Sequence, residues 1–120
     1  MRRDPRYPTS IPCLLDVPGG PSIAGVIVDI SAGGAGIETL SLLPDEFTLS
    51  FDYENQRLAL PCVQRHSRDL WAKRRIHAQF RSPTAAQRSV LDDLIEALKT
   101  APSGEQRDSV WQTLGRLLRR

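Results

Sequence analysis

Between Tyr7 and Phe80 the sequence runs in short apolar or alternating segments that are interrupted by Pro, Gly, Asn and Asp. Such segments are typical of β-strands joined by turns, because successive side chains of a strand face opposite sides of a sheet. The pattern predicts a strand-rich body that can close into a small barrel. The predicted strands are Ile11 to Val17, Ile23 to Asp29, Ala35 to Thr39, Glu46 to Asp52, Arg57 to Arg65 and Leu70 to Phe80.

After the last of these strands the hydrophobic period becomes that of one helical face, which is carried by Val90, Leu91, Leu94, Ile95 and Leu98. Thr84 and Gln87 have the spacing of a capping box, in which each side chain accepts a hydrogen bond from the backbone N–H of the other residue. Pro102 follows the end of the segment. We therefore predict a helix over residues 84–99.

A second amphipathic helix is predicted over residues 103–120. It begins with another Ser-x-x-Gln capping pattern, at Ser103 and Gln106, and Arg119 and Arg120 suit its C-terminal end. Its apolar side carries Val110, Trp111, Leu114, Leu117 and Leu118. We expect this helix to pack on its own barrel rather than to dock a partner, and we leave dimerisation open.

The composition favours one domain, because 120 residues with 40% hydrophobic content can bury one core but not two. No segment is apolar enough to span a membrane, and the basic start, Met1 to Arg6, precedes no signal-peptide hydrophobic stretch. We therefore expect a soluble cytoplasmic protein without membrane insertion.

The residues offer little support for an enzyme or for a metal protein. No nucleophile with a base and no pair of carboxylates stands out, so no catalytic residue is assigned. Cys13 and Cys62 belong to no CxxC pair, and the spacing of Cys62 to His66 has no second pair to complete a metal site. The glycine-rich stretch from Gly33 to Gly36 lacks the Lys-Ser/Thr of a phosphate-binding loop. We predict neither catalysis, nor a metal, nor a cofactor.

The first candidate binding motif is the arm Arg2-Arg3-Asp4-Pro5-Arg6-Tyr7-Pro8. Its prolines disfavour a helix and hold the arginines on an extended backbone. Guanidinium groups form bidentate pairs with phosphate, donate hydrogen bonds to the O6 and N7 acceptors of guanine and stack on bases. Taken alone, the arm is also consistent with a solvated basic tail.

The second candidate motif is the turn that follows the second predicted strand, Asp29-Ile30-Ser31-Ala32-Gly33-Gly34. Asp29 and Ser31 alternate with apolar residues and so project from one face of the strand. A carboxylate there can accept from the N1 and N2 donors of guanine, and Gly34 lets a ligand approach the backbone. Taken alone, a plain turn with local hydrogen bonds explains the same residues.

Together the two motifs resemble those of the PilZ family, whose signature is RxxxR near the domain start and (D/N)xSxxG after the second strand. Arg2 and Arg6 match the first motif, and Arg3 lies beside its first arginine. The second motif is matched position by position by Asp29, Ser31 and Gly34.

The resemblance extends over roughly residues 2–100, through the order of the motifs and of the later elements. It implies a mostly β fold, a six-stranded antiparallel β-barrel followed by one or two C-terminal α-helices. The domain would then cover residues 1–100, with the arm at 1–8, the barrel at 9–80 and the helix at 84–99.

The resemblance also implies a receptor for the second messenger cyclic di-GMP (c-di-GMP). In the family the RxxxR arginines hold phosphates and guanine edges, and the (D/N)xSxxG loop holds a guanine from the other side. Arg3 would add a phosphate or stacking contact. The other ligand-binding roles would fall to Arg2, Arg6, Asp29, Ser31 and Gly34.

The sequence departs from the family pattern at two places. The last strand often carries a Gly ahead of its closing aromatic residue in the family, where this chain has Ile76-His77-Ala78-Gln79-Phe80. The first motif arginine, Arg2, is the second residue of the chain, so we expect the arm to be mobile without ligand and to order on binding.

Three hypotheses for function follow. In the first, c-di-GMP orders the arm and so changes how the protein binds an unidentified partner in motility, pilus, secretion or exopolysaccharide control. In the second, the domain is an interaction module that binds no nucleotide. The third is a nucleic-acid binder, which we rank last because the aromatic residues are too scattered to form a stacking platform.

Overall fold

The computed structural model describes residues 5–100, so Arg2, Arg3 and the candidate helix at 103–120 lie outside the described residues. The described elements are β1 (Tyr7–Asp16), β2 (Ser22–Ile30), β3 (Gly34–Thr39), β4 (Glu46–Tyr53), β5 (Gln56–Leu70), β6 (Lys73–Phe80) and α1 (Ala85–Thr100). The strands close a barrel in the order β1-β2-β3-β6-β5-β4, and each neighbouring pair is antiparallel. The predicted six-stranded antiparallel barrel followed by a helix is confirmed.

The core of the barrel is formed by alternate residues of the strands, as the alternating pattern predicts. Every strand contributes at least one side chain that is almost wholly removed from solvent, and this burial is the main stabilising contribution to such a fold. The fully buried large side chains of the strands are Leu15, Ile27, Ile30, Ile37, Leu49, Leu60, Cys62 and Ile76.

Helix α1 adds Leu91, Leu94 and Leu98 to the same core. The predicted capping box is present: the N–H of Thr84 donates to Oε1 of Gln87 at 3.0 Å, and the N–H of Gln87 donates to Oγ1 of Thr84 at 3.1 Å. The helix of the described residues is not long and apolar enough to cross a membrane.

Three strand boundaries differ from the sequence-based prediction by three residues or more: the start of β1, the end of β5 and the start of β6, which is Lys73 rather than Leu70. Strand β1 begins at Tyr7, which pairs with Ile30, so the end of the predicted arm belongs to the barrel. Strand β5 does not end at Arg65 but continues to Leu70, and the turn to β6 lies at Trp71 and Ala72.

The extension of β5 was missed for a physical reason. Beyond Val63 this strand pairs with β6 alone, and its residues there are mostly exposed. A two-stranded segment without a core behind it needs no apolar face, so it carries no alternating pattern from which a strand could be predicted. The tight turn is possible because Ala72 adopts a left-handed backbone, with φ of 68°.

Candidate functional site

The barrel places one row of residues side by side across four neighbouring strands. Asp29 of β2 is paired with Gly36 of β3, Gly36 with His77 of β6, and His77 with His66 of β5. The residues beside them in the strands, such as Ile30 and Ala78, are buried. The row therefore lies on the outer face of the barrel, where it is available to a ligand.

Arg6 lies over this row, just before β1 begins. Its Nη1 donates to Oδ1 of Asp29 at 2.6 Å, and the side chains of Arg6 and Asp29 keep 24% and 20% of their exposure. The backbone N–H of Gly36 donates to the same Oδ1 at 3.1 Å. The structure thus brings together Arg6 of the first motif and Asp29 of the second.

Gly36 is needed for the position of the Asp29 carboxylate. A Cβ at Gly36 would lie 2.7 Å from Oδ2 of Asp29 and 2.9 Å from Oδ1, too close for both to stay. The absence of a side chain therefore lets the carboxylate rest on the strand and accept from its backbone.

The guanidinium of Arg6 has donor capacity left after this ion pair. Its Nε is buried and has no hydrogen-bond partner among the described residues. A buried donor without an acceptor costs free energy, on the order of 1 to 3 kcal/mol, and an anion bound beside Arg6 would supply the acceptor.

Hydrogen bonds within the turn between β2 and β3 stabilise the turn. Ser31 is buried, and its Oγ donates to the carbonyl of Gly34 and accepts from the N–H of Gly33, both at 3.3 Å. A Cβ at Gly34 would lie 2.3 Å from the carbonyl oxygen of Ala78 on the neighbouring strand. Ser31 and Gly34 thus shape the turn, and their contact with a ligand stays a prediction.

A cavity of about 370 Å³ adjoins the ion pair on the face of β5 and β6. Its size is within the range of small-molecule sites, roughly 300 to 1,000 Å³. Its lining contains three arginines and two histidines but no carboxylate: Arg6, His66, Ser67, Arg68, Arg75 and His77. Its chemistry suits an anion with groups that stack or hydrogen-bond.

Glu38 binds Arg75, one of the residues that line this cavity. Its carboxylate accepts from Lys73 at 2.8 Å and from Arg75 at 2.7 Å and 3.2 Å. Burial alone would raise the pKa of Glu38, but these hydrogen bonds and charges outweigh it, and the pKa lies below its ordinary value. Glu38 therefore stays ionised and fixes the direction of the Arg75 guanidinium.

The surroundings of His77 lower the pKa of its imidazole. Burial lowers its pKa below the ordinary 6.5, the charges of Arg6, His66 and Arg75 lower it further, and only Asp29 opposes them. The rings of His77 and His66 meet edge to face, with their centroids 6.3 Å apart. The imidazole of His77 is therefore mostly neutral at neutral pH.

The sequence motifs predicted some of these residues and missed others. Arg6 and Asp29 were predicted and are in contact, whereas Gly36, Arg75 and the two histidines were not assigned to the site. Arg2 and Arg3 lie outside the described residues. Within residues 5–100 no three His, Cys, Asp or Glu side chains cluster as a metal ion would require.

The structure combines a small closed antiparallel barrel with an arginine before the first strand, Arg6, that donates to the carboxylate near the end of the second strand, Asp29. This combination defines one class of β-barrel domain. The family model described as the PilZ domain matches residues 1–97. The chain belongs to the PilZ domain family.

Solved structures support the fold. The PilZ domain of YcgR from Escherichia coli, solved with c-di-GMP, matches with a TM-score of 0.67 and 14% identity, over 82% of this chain and 91% of that one. The PilZ domain of CeSA from a cellulose-synthesizing bacterium matches with a TM-score of 0.62 and 20% identity, over 79% of this chain and 98% of that one.

The Bacillus subtilis inhibitor of motility, MotI/DgrA, matches with a TM-score of 0.67 and 16% identity, over 85% of this chain. This chain covers 54% of that protein, about half of its length. No curated protein matches the sequence.

Proposed function

We propose that this protein is a c-di-GMP receptor whose output is binding to a partner rather than turnover of a substrate. The observation that carries the proposal is the Arg6 to Asp29 contact beside a basic cavity, with the buried Nε of Arg6 unpartnered among the described residues. Membership of the PilZ family and likeness to a domain solved with c-di-GMP support it.

The ligand and the site complement each other chemically. c-di-GMP carries two phosphodiesters and two guanines, so it offers anionic acceptors to Arg6 and N–H donors to Asp29. In the described structure Nη1 of Arg6 donates to Oδ1 of Asp29. Binding would bring a phosphate to the other donors of Arg6 and a guanine N–H donor to the carboxylate of Asp29.

We further propose that binding orders the N-terminal arm against the turn that follows β2, and that a partner in motility, pilus, secretion or exopolysaccharide control responds to the changed surface. Tyr7 already pairs with Ile30 in the barrel. We therefore expect amide exchange to slow on binding in the residues before Tyr7 and in the turn, while the β1 amides stay unchanged as an internal reference.

The alternative is an interaction module that binds no nucleotide. One observation favours it: the Arg6 and Asp29 side chains already form an ion pair with each other, at 2.6 Å. In that case the pair would be a structural contact that fastens the entry of the chain to the barrel.

Calorimetric titration with c-di-GMP, and with GMP as a control nucleotide, separates the two. Arg6→Ala should weaken c-di-GMP binding by about tenfold or more, since a charge-assisted hydrogen bond contributes roughly 1.5 to 3 kcal/mol. The matched control is Arg57→Ala, which removes an arginine from an exposed ion pair with Asp52 away from the cavity lining. Absence of heat with c-di-GMP would support the interaction module instead, whereas equal binding by both variants would show that Arg6 does not contribute to the site.

A further inference from the structure

The cavity beside Arg6 contains both histidines of the chain, which has only two. A β-bulge in β5 between Gln64 and His66 brings His66 opposite His77. Both rings therefore lie on the outer face, in the row that begins with Asp29 and Gly36. Imidazole is the side chain whose charge ordinarily changes near neutral pH.

We propose that the cavity lined by His66 and His77 binds a phosphate of the ligand that Arg6 and Asp29 hold. We further propose that binding of this phosphate is coupled to the uptake of a proton by the two histidines. The inference rests on the proposed function, because it concerns the same ligand at the same site. It adds a regulation to that site: affinity rises as pH falls.

The coupling follows from the charges that face His77 on every side. Arg6 comes from the segment before β1, Asp29 from β2, Glu38 from β3, His66 and Arg68 from β5, and Arg75 from β6. Two of the arginines have acidic partners, Arg6 with Asp29 and Arg75 with Glu38. Arg68 has no acidic partner among the described residues, so the pocket keeps an excess of positive charge.

This excess disfavours a further proton on His77 in the free protein, in line with its lowered pKa. A phosphate placed among these arginines offsets their charge and accepts a hydrogen bond from an imidazolium. The bound protein therefore holds a proton more strongly than the free protein does. Linkage requires that the ligand then binds more tightly wherever it causes proton uptake.

The direction of the pH dependence and the pH range in which it occurs follow from the pKa of His77 in the free and in the bound protein. Well above the bound-state pKa both states are neutral at His77, and affinity does not depend on pH. Between the bound-state value and the lower free-state value, affinity rises as pH falls, by at most about tenfold per pH unit for each proton taken up. Below the free-state value, which lies under 6.5, the rise levels off.

The test is a calorimetric titration of the full chain with c-di-GMP between about pH 5.5 and pH 8, where the phosphodiesters and guanines of the ligand do not titrate. Repeating it at one pH in two buffers of different ionisation enthalpy counts the protons taken up. We expect the dissociation constant to fall by about tenfold from the highest pH to the lowest.

Two single variants and a double variant assign the effect. His77→Gln keeps a neutral, hydrogen-bonding side chain that cannot take up a proton, so the variant should lose most of the increase in affinity between the highest and the lowest pH. His66→Gln measures how much of the pH dependence of affinity is due to His66. The affinity of the double variant should not depend on pH. The double variant also serves as a control for an α-amino group, which titrates in the same range and would still cause a pH dependence without the histidines.

Ring signals in NMR give a second readout that does not depend on affinity. Titration of each imidazole with and without c-di-GMP should show the pKa of His77 rising on binding, with assignments made from the single variants. Binding that is independent of pH, or a pH dependence that persists in the double variant, would overturn the inference and leave the receptor function intact. Absence of binding at every pH would overturn both.

Discussion

Asp29 accepts two hydrogen bonds at one carboxylate oxygen, from the guanidinium of Arg6 and from the backbone of Gly36. Because Asp29 is mostly removed from solvent, its carboxylate is poorly hydrated and depends on these donors. The three residues therefore act as one unit: Gly36 sets the position of the carboxylate, and the carboxylate sets that of Arg6.

Asp29→Ala should weaken c-di-GMP binding by about tenfold or more, because both the guanine acceptor and the residue that positions Arg6 are lost. The fold should survive, with a loss of about 1 kcal/mol in the free energy of unfolding, since the ion pair is only partly buried. Affinity and urea denaturation can be measured on one sample. Asp52→Ala, which removes the partner of Arg57 in an exposed pair, should leave binding unchanged; normal binding by Asp29→Ala would contradict the assignment.

Two glycines of β3 should respond differently to the same added methyl group. In Gly36→Ala the methyl meets a side chain that can rotate away, so stability should change by less than about 1 kcal/mol while binding weakens. In Gly34→Ala it meets the backbone of Ala78, so the free energy of unfolding should fall by about 1 to 3 kcal/mol. A Gly36→Ala protein that binds c-di-GMP normally would show that the observed carboxylate position is not needed.

The sequence could predict only those site residues that belong to short local motifs. Arg6 and Asp29 belong to short patterns whose chemistry can be recognised without a fold. His77 and His66 become neighbours only through the pairing of β5 with β6, which includes a bulge. Because a shift of one residue in register turns each side chain to the opposite face, their position could not be predicted from spacing alone.

At the scale of elements, predictions were most accurate where local sequence determines the structure. The start of α1 is determined by Thr84 and Gln87, whose side chains accept from each other's backbone N–H, and Gln87 also donates to the carbonyl of Ala59. The end of β5 is determined by its partner strand, so the polar run from His66 to Asp69, which lay outside the predicted strands, belongs to β5. Local capping can be predicted from sequence, whereas a strand supported only by pairing cannot.

Thr84→Ala removes the hydroxyl that accepts from the N–H of Gln87 and leaves that donor without its cap. We expect the free energy of unfolding to fall by about 1 kcal/mol, the usual contribution of an N-cap. Thr100→Ala, at the exposed other end of α1, is the matched control and should change it by less than about 0.5 kcal/mol. Equal losses in the two variants would mean that the capping box does not stabilise the helix measurably.

At the scale of the whole molecule, the barrel encloses both cysteines of the chain. Cys13 and Cys62 keep 6% and 1% of their exposure and belong to the core that the strands and α1 share. Burial raises the pKa of each thiol to about 12, with a smaller contribution from Cys62 in the case of Cys13. Because the thiolate is the reactive form, both thiols should be inert while the barrel is closed.

Thiol modification should therefore report the opening of the barrel and, through it, the binding of ligand. At pH 8 we expect both thiols to react promptly in denaturant and only slowly in the folded protein, because reaction requires the core to open. A ligand that binds only the closed barrel lowers the open population, so c-di-GMP at a hundredfold excess over its dissociation constant should slow modification by about a hundredfold, equivalent to about 2.7 kcal/mol. In Arg6→Ala the same concentration should slow it much less, since binding is weakened while the core is untouched. Prompt reaction of either thiol in the folded protein would contradict the closed core, and slowing by c-di-GMP that is equal in both proteins would show that Arg6 does not contribute to binding.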